Sequence, residues 1–200
     1  MPPLPPVTKA LLLICTAVYC VQKLLLSPGV VSWFALQPIL SGQFMPWQLV
    51  SYAFLHANAV HLFFNMLGLW MFGAELEEMW GRKRFMQFLL ASVLTGALAQ
   101  MAMSLVFGNI GPTVGASGAL YGLLLAFGMT FPDRIIMPLF PPIPMKAKIF
   151  VAVFGALELF NGVYGSTGVA HFAHLGGMLG GFLMLRYWRG QSPFGRNRRY

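Results

Sequence analysis

Residues 115–131 read Gly-Ala-Ser-Gly-Ala-Leu-Tyr-Gly-Leu-Leu-Leu-Ala-Phe-Gly-Met-Thr-Phe, an apolar run without a formal charge. A stretch of this kind is near the length of ~20 residues that crosses ~30 Å of hydrocarbon as a helix. Beyond it, Pro132–Met145 contains five prolines and cannot continue the helix, because proline lacks the N–H and clashes with the preceding turn. Five further apolar stretches flank this one: Lys9–Leu26, Val60–Met79 and Phe85–Phe107 before it, Ala147–Val163 and Val169–Trp188 after it. The chain therefore reads as an all-α membrane protein, a bundle of six transmembrane helices.

Composition agrees. Hydrophobic residues make up 58% of the 200 and charged residues 9%, against roughly a quarter charged in soluble domains. The formal charge of +8 is not a nucleic-acid footprint, since the basic residues form no stripe interleaved with exposed aromatics. They sit between spans instead, as Arg82, Lys83 and Arg84, as Arg134, Lys146 and Lys148, and as Arg186, Arg189, Arg196, Arg198 and Arg199. With Lys9 these are twelve of the thirteen basic residues, Lys23 being the exception, while Pro28–Ala59, Gly108–Val114 and Tyr164–Gly168 contain none. An even number of spans puts both termini on one side, and the excess of Lys and Arg makes that side cytoplasmic. The expected location is the inner membrane of a bacterial cell.

Lys9 ahead of Ala10–Val21 resembles a signal sequence, but no A-x-A site follows, and the segment reads as an uncleaved first helix. Cys15 and Cys20 imply no disulfide framework. Val30–Ala59 lacks charge yet carries Trp33, Phe34, Phe44, Trp47, Tyr52 and Phe54. It reads either as structure lying in the membrane interface, where such rings are favoured, or as a loop covering helix ends. No internal repeat occurs, and Gly190–Tyr200 is expected to be a mobile tail.

Polar side chains inside apolar spans are costly in lipid and point to function. They are His61 and Asn65 in the second span, Ser117 in the fourth, Glu158 in the fifth, and His171 and His174 in the sixth. Each also has a plain structural reading: a small serine for packing, an interhelical hydrogen bond, or, for Glu158, a carboxylate facing water. Depth distinguishes them. Ser117 precedes Pro132 by fifteen residues, about 22 Å at ~1.5 Å per residue, which leaves it roughly 8 Å below the outer surface of a ~30 Å core. His174 precedes Arg186 by twelve residues, about 18 Å, so the hydroxyl and imidazole fall within one helical turn of the same level.

Base-assisted attack requires those groups within ~2.6–3.2 Å, hence helices in close approach. Gly118 and Gly122 beside Ser117, and Gly176, Gly177, Gly180 and Gly181 beyond His174, supply the small-xxx-small spacing that permits it. Ser117 opens a helix, whose free N–H groups and positive dipole end suit an oxyanion. His61 and Asn65, four apart, share a helical face and can donate toward the same atom. Tyr121, also four residues on from Ser117, is placed either to stack on His174 or to pack in the core. Nothing in the sequence ties Glu158 to His174, so the expectation is a Ser-His dyad, a permitted variant of the triad.

With these motifs in view, the chain resembles the rhomboid intramembrane serine proteases. Gly115-Ala116-Ser117-Gly118 resembles the family's GxSG, Ala173-His174-Leu175-Gly176-Gly177 its last-span motif, and His61-x-x-x-Asn65 its second-span motif. Tyr121 also matches, Gly73–Gly81 with Glu77 resembles the turn after the second helix, and Trp47-Gln48 resembles the Trp-Arg pair of the first loop with Gln in place of Arg. The likeness runs from about residue 9 to 190, giving a six-helix rhomboid-like domain at 9–190, a short N-terminal tail at 1–8 and a basic C-terminal tail at 191–200. The resemblance implies Ser117 as nucleophile and His174 as base and later acid. It implies an oxyanion hole of His61, Asn65 and the Ser117 backbone, with Gly115, Gly118 and Tyr121 in support. It also implies cleavage of membrane-anchored protein substrates near the outer face, with small residues before the cut and a locally unstable substrate helix. No cofactor, metal or nucleic-acid partner is expected; the partners are substrate helices and the bilayer.

Three other functions compete. A non-proteolytic rhomboid-like protein that binds membrane helices would be signalled by loss of Ser117 or His174, and both are present. A haem or metal carrier would use His56, His61, His171 and His174, but His56 and His61 are five apart and no HExxH pair exists. A channel or transporter gives no reason for Ser117, Tyr121 and His174 together.

Overall fold

The computed structural model describes residues 3–108, 111–139, 142–165 and 170–190. The expected basic tail at 191–200, with Arg196, Arg198 and Arg199, the start of the sixth span at Val169, and most of the link at 164–168 lie outside the described residues.

The chain is helical from Pro6. Helix α1 (Pro6–Leu24) leads into α2 (Pro28–Phe34) and α3 (Gln48–Ser51). Helix α4 (Ala59–Gly68) passes through a π turn at Leu69–Gly73 into α5 (Ala74–Trp80). There follow α6 (Arg82–Phe107), α7 (Ser117–Thr130), α8 (Ala147–Tyr164) and α9 (His171–Trp188). Among the described residues four stretches, Pro6–Leu24, Ala59–Trp80, Arg82–Phe107 and Ala147–Tyr164, are long and apolar enough to cross a membrane, and α7 is a shorter apolar helix. Bounds fall within three residues of the expected spans. Both α1 and α6 start three residues early, and α1 starts inside the expected 1–8 tail. Pro6 occupies a position where its missing N–H is no loss, and the Val7 and Thr8 amides donate to the buried carboxylate of Glu77 at 2.9 and 2.7 Å. The Thr8 hydroxyl adds a third bond at 2.8 Å. Glu77 thus caps α1 from another helix, a negative charge at the positive dipole end.

The same contact fixes relative direction, since the start of α1 meets the end of α5. Arg134, just past α7, pairs with Glu75 through both carboxylate oxygens, at 2.5 and 2.6 Å. Trp188, ending α9, packs on Trp80 at 5.2 Å between ring centroids. The basic clusters therefore converge at one end of the bundle. The proline-rich link there forms a short ladder, β1 (Ile135–Ile136) antiparallel to β2 (Met145–Lys146), in register Ile135 with Lys146 and Ile136 with Met145. Lys146 and Lys148 both reach Asp133, and their bonds, Lys148 first, hold its carboxyl below the usual range.

At the opposite end lies the uncharged aromatic segment. Buried Gln48 organises it: its Nε2 donates to the carbonyls of Trp33 and Gln43, and its Oε1 accepts from the amides of Gln37 and Met45. The Trp47 indole donates to the Trp33 carbonyl as well. Leu36 and Thr113 form an isolated antiparallel bridge, amide to carbonyl both ways. The segment is therefore folded structure, pinned to the strand that leads into α7. Helix α9 sits centrally, packing most heavily on α6 and α7. Both cysteines are free.

Candidate active site

Ser117 is the first residue of α7, and the backbone before it is set by the aromatic segment. The Gly115 amide donates to the Tyr52 carbonyl at 2.9 Å, while the Tyr52 hydroxyl donates to the Val93 carbonyl of α6 at 2.8 Å. Gly115 has φ +125°, a conformation open to glycine and strained for other residues. A Cβ there would also lie 2.6 Å from Cε1 and 2.8 Å from Nε2 of His61. His61 therefore closes over Gly115 beside the serine.

Ser117 Oγ lies 2.7 Å from Nε2 of His174. That distance depends on glycine. A Cβ on Gly177 would fall 1.9 Å from the Gly118 carbonyl oxygen, and one on Gly122 2.9 Å from the Gly177 carbonyl, so α7 and α9 touch backbone to backbone. On the other flank of α9, Gly176 and Gly180 face Thr95 of α6, with such atoms at 2.5 and 2.0 Å. Two glycine stripes, one toward each neighbour, seat α9 between α6 and α7. The Tyr121 ring lies parallel to the His174 imidazole at 4.3 Å between centroids and 8° between planes.

Helix α4 brings the remaining donors. Asn58 caps it, its Oδ1 accepting from the His61 amide at 2.8 Å. Asn65 is buried one turn further on, its Nδ2 donating to the His61 carbonyl at 2.9 Å and its Oδ1 without a hydrogen-bond partner among the described residues. His56 stands edge-on to His61 at 5.3 Å. It is fully buried, and its two ring nitrogens lack hydrogen-bond partners among the described residues. Burial, then the neighbouring His61, pushes its imidazole down to about 4.

The surroundings of the imidazole differ from the expected dyad. Glu158 of α8 is buried against it, with Oε2 2.6 Å from Nδ1 of His171 and 2.9 Å from Nδ1 of His174. The Tyr121 hydroxyl donates to Oε1. The His171 contact is an aligned hydrogen bond; that to His174 is 0.3 Å longer and off the N–H axis. The sequence carried a partial signal. Glu158 is an acidic residue within the fifth apolar span, and His171 and His174, three apart, share a helical face. Which way α8 turns its carboxylate is a matter of packing between helices, which local pattern does not encode. Gln48 and Tyr52 stand out in sequence as a motif position and as an aromatic of the uncharged segment, but their hydrogen bonds to Trp33, Gln37, Gln43, Met45, Val93 and Gly115 depend on the fold.

Glu158, His171 and His174 offer ligand atoms within 4.8 Å of one another, the arrangement that could hold a metal ion. The fit is poor. Ligands at ~2.0–2.2 Å around tetrahedral zinc stand roughly 3.3 Å or more apart, whereas the N–O separations here are 2.6 and 2.9 Å, which are hydrogen-bond lengths. The group is therefore a hydrogen-bonded cluster around the Glu158 carboxylate.

An all-helical bundle with a serine and a histidine in hydrogen-bond contact, among helices apolar enough for lipid, defines a class of integral membrane proteins. Within that class, the rhomboid domain matches residues 43–190, and the chain belongs to the rhomboid family. It is 30% identical over 195 residues to the presenilin-associated rhomboid-like protein A, mitochondrial, of Danio rerio, covering 92% of this chain and 48% of that protein. It is 29% identical over 187 residues to the rhomboid protease GlpG of Yersinia pestis (strain Pestoides F), covering 92% and 62%, and 28% identical over 183 residues to that of Yersinia enterocolitica. The chain thus spans about half to three-fifths of the length of these relatives.

Proposed function

We propose that this chain is an intramembrane serine endopeptidase that cleaves membrane-anchored proteins near the outer face of the bilayer. The observation that carries the reading is the 2.7 Å contact between Ser117 Oγ and His174 Nε2 at the N-terminus of α7, supported by kinship to proteins named as rhomboid proteases. As Oγ attacks the scissile carbonyl carbon, its proton passes to Nε2. The carbonyl oxygen becomes an oxyanion, held by the Ser117 amide, His61 and Asn65. Collapse breaks the C–N bond, and the imidazolium gives its proton to the leaving amine. Water then attacks the acyl-enzyme, losing a proton to His174. The ester bond breaks and Oγ regains a proton.

On this reading the domain at 9–190 has six spans with both termini on the basic side, and Ser117 lies below the outer surface. That side is the cytoplasm in a bacterium. Incubation with a panel of single-span substrates tests the proposal: the parent cleaves at least one, and Ser117→Ala and His174→Ala cleave none while remaining folded. Capture of substrates without cleavage by the parent would instead favour a helix-binding rhomboid relative.

A further inference from the structure

Glu158 has no part in the steps above, yet it is a buried carboxylate within an apolar helix that accepts from Tyr121 and His171 and lies 2.9 Å from Nδ1 of His174. Burying a charge is costly unless it is paired and hydrogen-bonded. Here every contact leads to the catalytic neighbourhood: Tyr121 bonds Oε1, His171 bonds Oε2, and Nδ1 of His174 stands 2.9 Å from Oε2. Tyr121 also stacks on the His174 ring, so one residue fixes the plane of the imidazole and one oxygen of the carboxylate together. A merely structural pair would require no such convergence on the second nitrogen of a histidine whose first nitrogen holds a serine.

We infer that Glu158 is the positioning residue of a Ser117–His174–Glu158 triad, clamped by Tyr121 and His171. This rests on the reading of Ser117 and His174 as nucleophile and base. An ionised carboxylate only accepts hydrogen bonds, so Oε2 keeps the proton of His174 on Nδ1. Nε2 is then left bare to take the serine proton, and the imidazolium that follows forms beside a negative charge. His171 holds Oε2 in place by the aligned bond, leaving His174 close enough to settle onto the carboxylate as it becomes charged.

The Tyr121 contact makes a specific forecast for Glu158→Gln. In the orientation that keeps the tyrosine donating, the amide oxygen takes the Oε1 position and the amide NH2 that of Oε2, and in either orientation the negative charge beside the imidazole is lost. The NH2 donates to Nδ1 of His174, which forces the ring proton onto Nε2 and points it at Ser117. The base is then in the wrong tautomer with the packing unchanged.

The test compares parent, Glu158→Gln, Glu158→Asp and Ser117→Ala in detergent against one cleaved single-span substrate, together with thermal unfolding and the rate of labelling by a fluorophosphonate. The expected result for Glu158→Gln is a kcat and labelling rate lower by about a hundredfold or more, as for amide replacement of a triad carboxylate. Its KM stays within about twofold and its unfolding temperature is little changed. Glu158→Asp, retaining the charge, recovers at least tenfold over the Gln variant. Glu158→Gln turning over at the parental rate while Ser117→Ala is inert overturns the triad and leaves the protease reading standing. Equal inactivity of the Asp and Gln variants with collapsed unfolding temperatures overturns it in favour of a structural role. Stoichiometric zinc in the parent, with activity lost to chelators, overturns it in favour of a metal centre. Cleavage by Ser117→Ala removes the protease assignment itself.

Discussion

Gly177 of α9 faces the carbonyl of Gly118 of α7 so closely that a Cβ on Gly177 would lie 1.9 Å from that oxygen. No side chain fits without moving one helix from the other, and Ser117 and His174 sit on those two helices within one turn of the contact. Gly177→Leu is therefore expected to lower turnover by about a hundredfold, the order of loss for a ~1 Å displacement of reacting groups. Gly118→Val acts in the same direction. Ala152→Leu, on an exposed face of α8, is the control and should be nearly silent. Parental turnover in Gly177→Leu would count against the close-packed contact.

His61→Ala and Asn65→Ala should each reduce cleavage by about a hundredfold to a thousandfold, the usual loss of one oxyanion donor, without abolishing it. The Ser117 amide and the α7 dipole remain. Asn65 also holds the His61 carbonyl, so an Asn65→Asp variant, which keeps an acceptor but loses the donor, should be as slow as Asn65→Ala. Single-turnover cleavage rates measure this, and parental rates in both alanine variants would return the pair to interhelical hydrogen bonding.

His56 predicts a pH dependence of stability. Its imidazole is ordinarily near 6.5 and stands at about 4 in the folded protein. Between these values the unfolded chain binds a proton that the native chain does not, so stability rises with pH across that window and falls as pH drops from about 6.5 toward 4. The difference is at most about 3 kcal/mol. His56→Leu should flatten that slope when unfolding in detergent is followed from pH 7 to pH 4. An unaltered slope would contradict the assignment of that dependence to His56.

Glu77→Ala should destabilise the bundle by about 1.5–3 kcal/mol, the scale of hydrogen bonds to a charged group, because two amides and a hydroxyl at the start of α1 lose their acceptor together. These bonds lie at the basic end, away from Ser117. Turnover at low temperature should therefore persist while the unfolding temperature falls. A variant with parental stability and lost activity would reverse this assignment.

The helices were legible in the sequence because lipid imposes a length and a polarity that a single stretch either meets or fails. The positions of Ser117 and His174 were legible because depth along a helix follows from rise per residue, and their approach from glycines at spacing four. What escaped depends on rotation and on partners from elsewhere in the chain. The cap that starts α1 comes from Glu77, some seventy residues away. The π turn at Leu69–Gly73 and the short β ladder carry no strong local pattern. Glu158 was visible as an anomaly, but its place beside His174 depends on how α8 rotates against α9.

The central claim is that Ser117 is a nucleophile activated by His174. Intact-mass measurement after incubation with a fluorophosphonate tests it most directly. One adduct per chain is expected, mapped by peptide mass to Ser117, slowed in His61→Ala and absent from Ser117→Ala and His174→Ala. A full adduct on Ser117→Ala, or none on the folded parent, would contradict it.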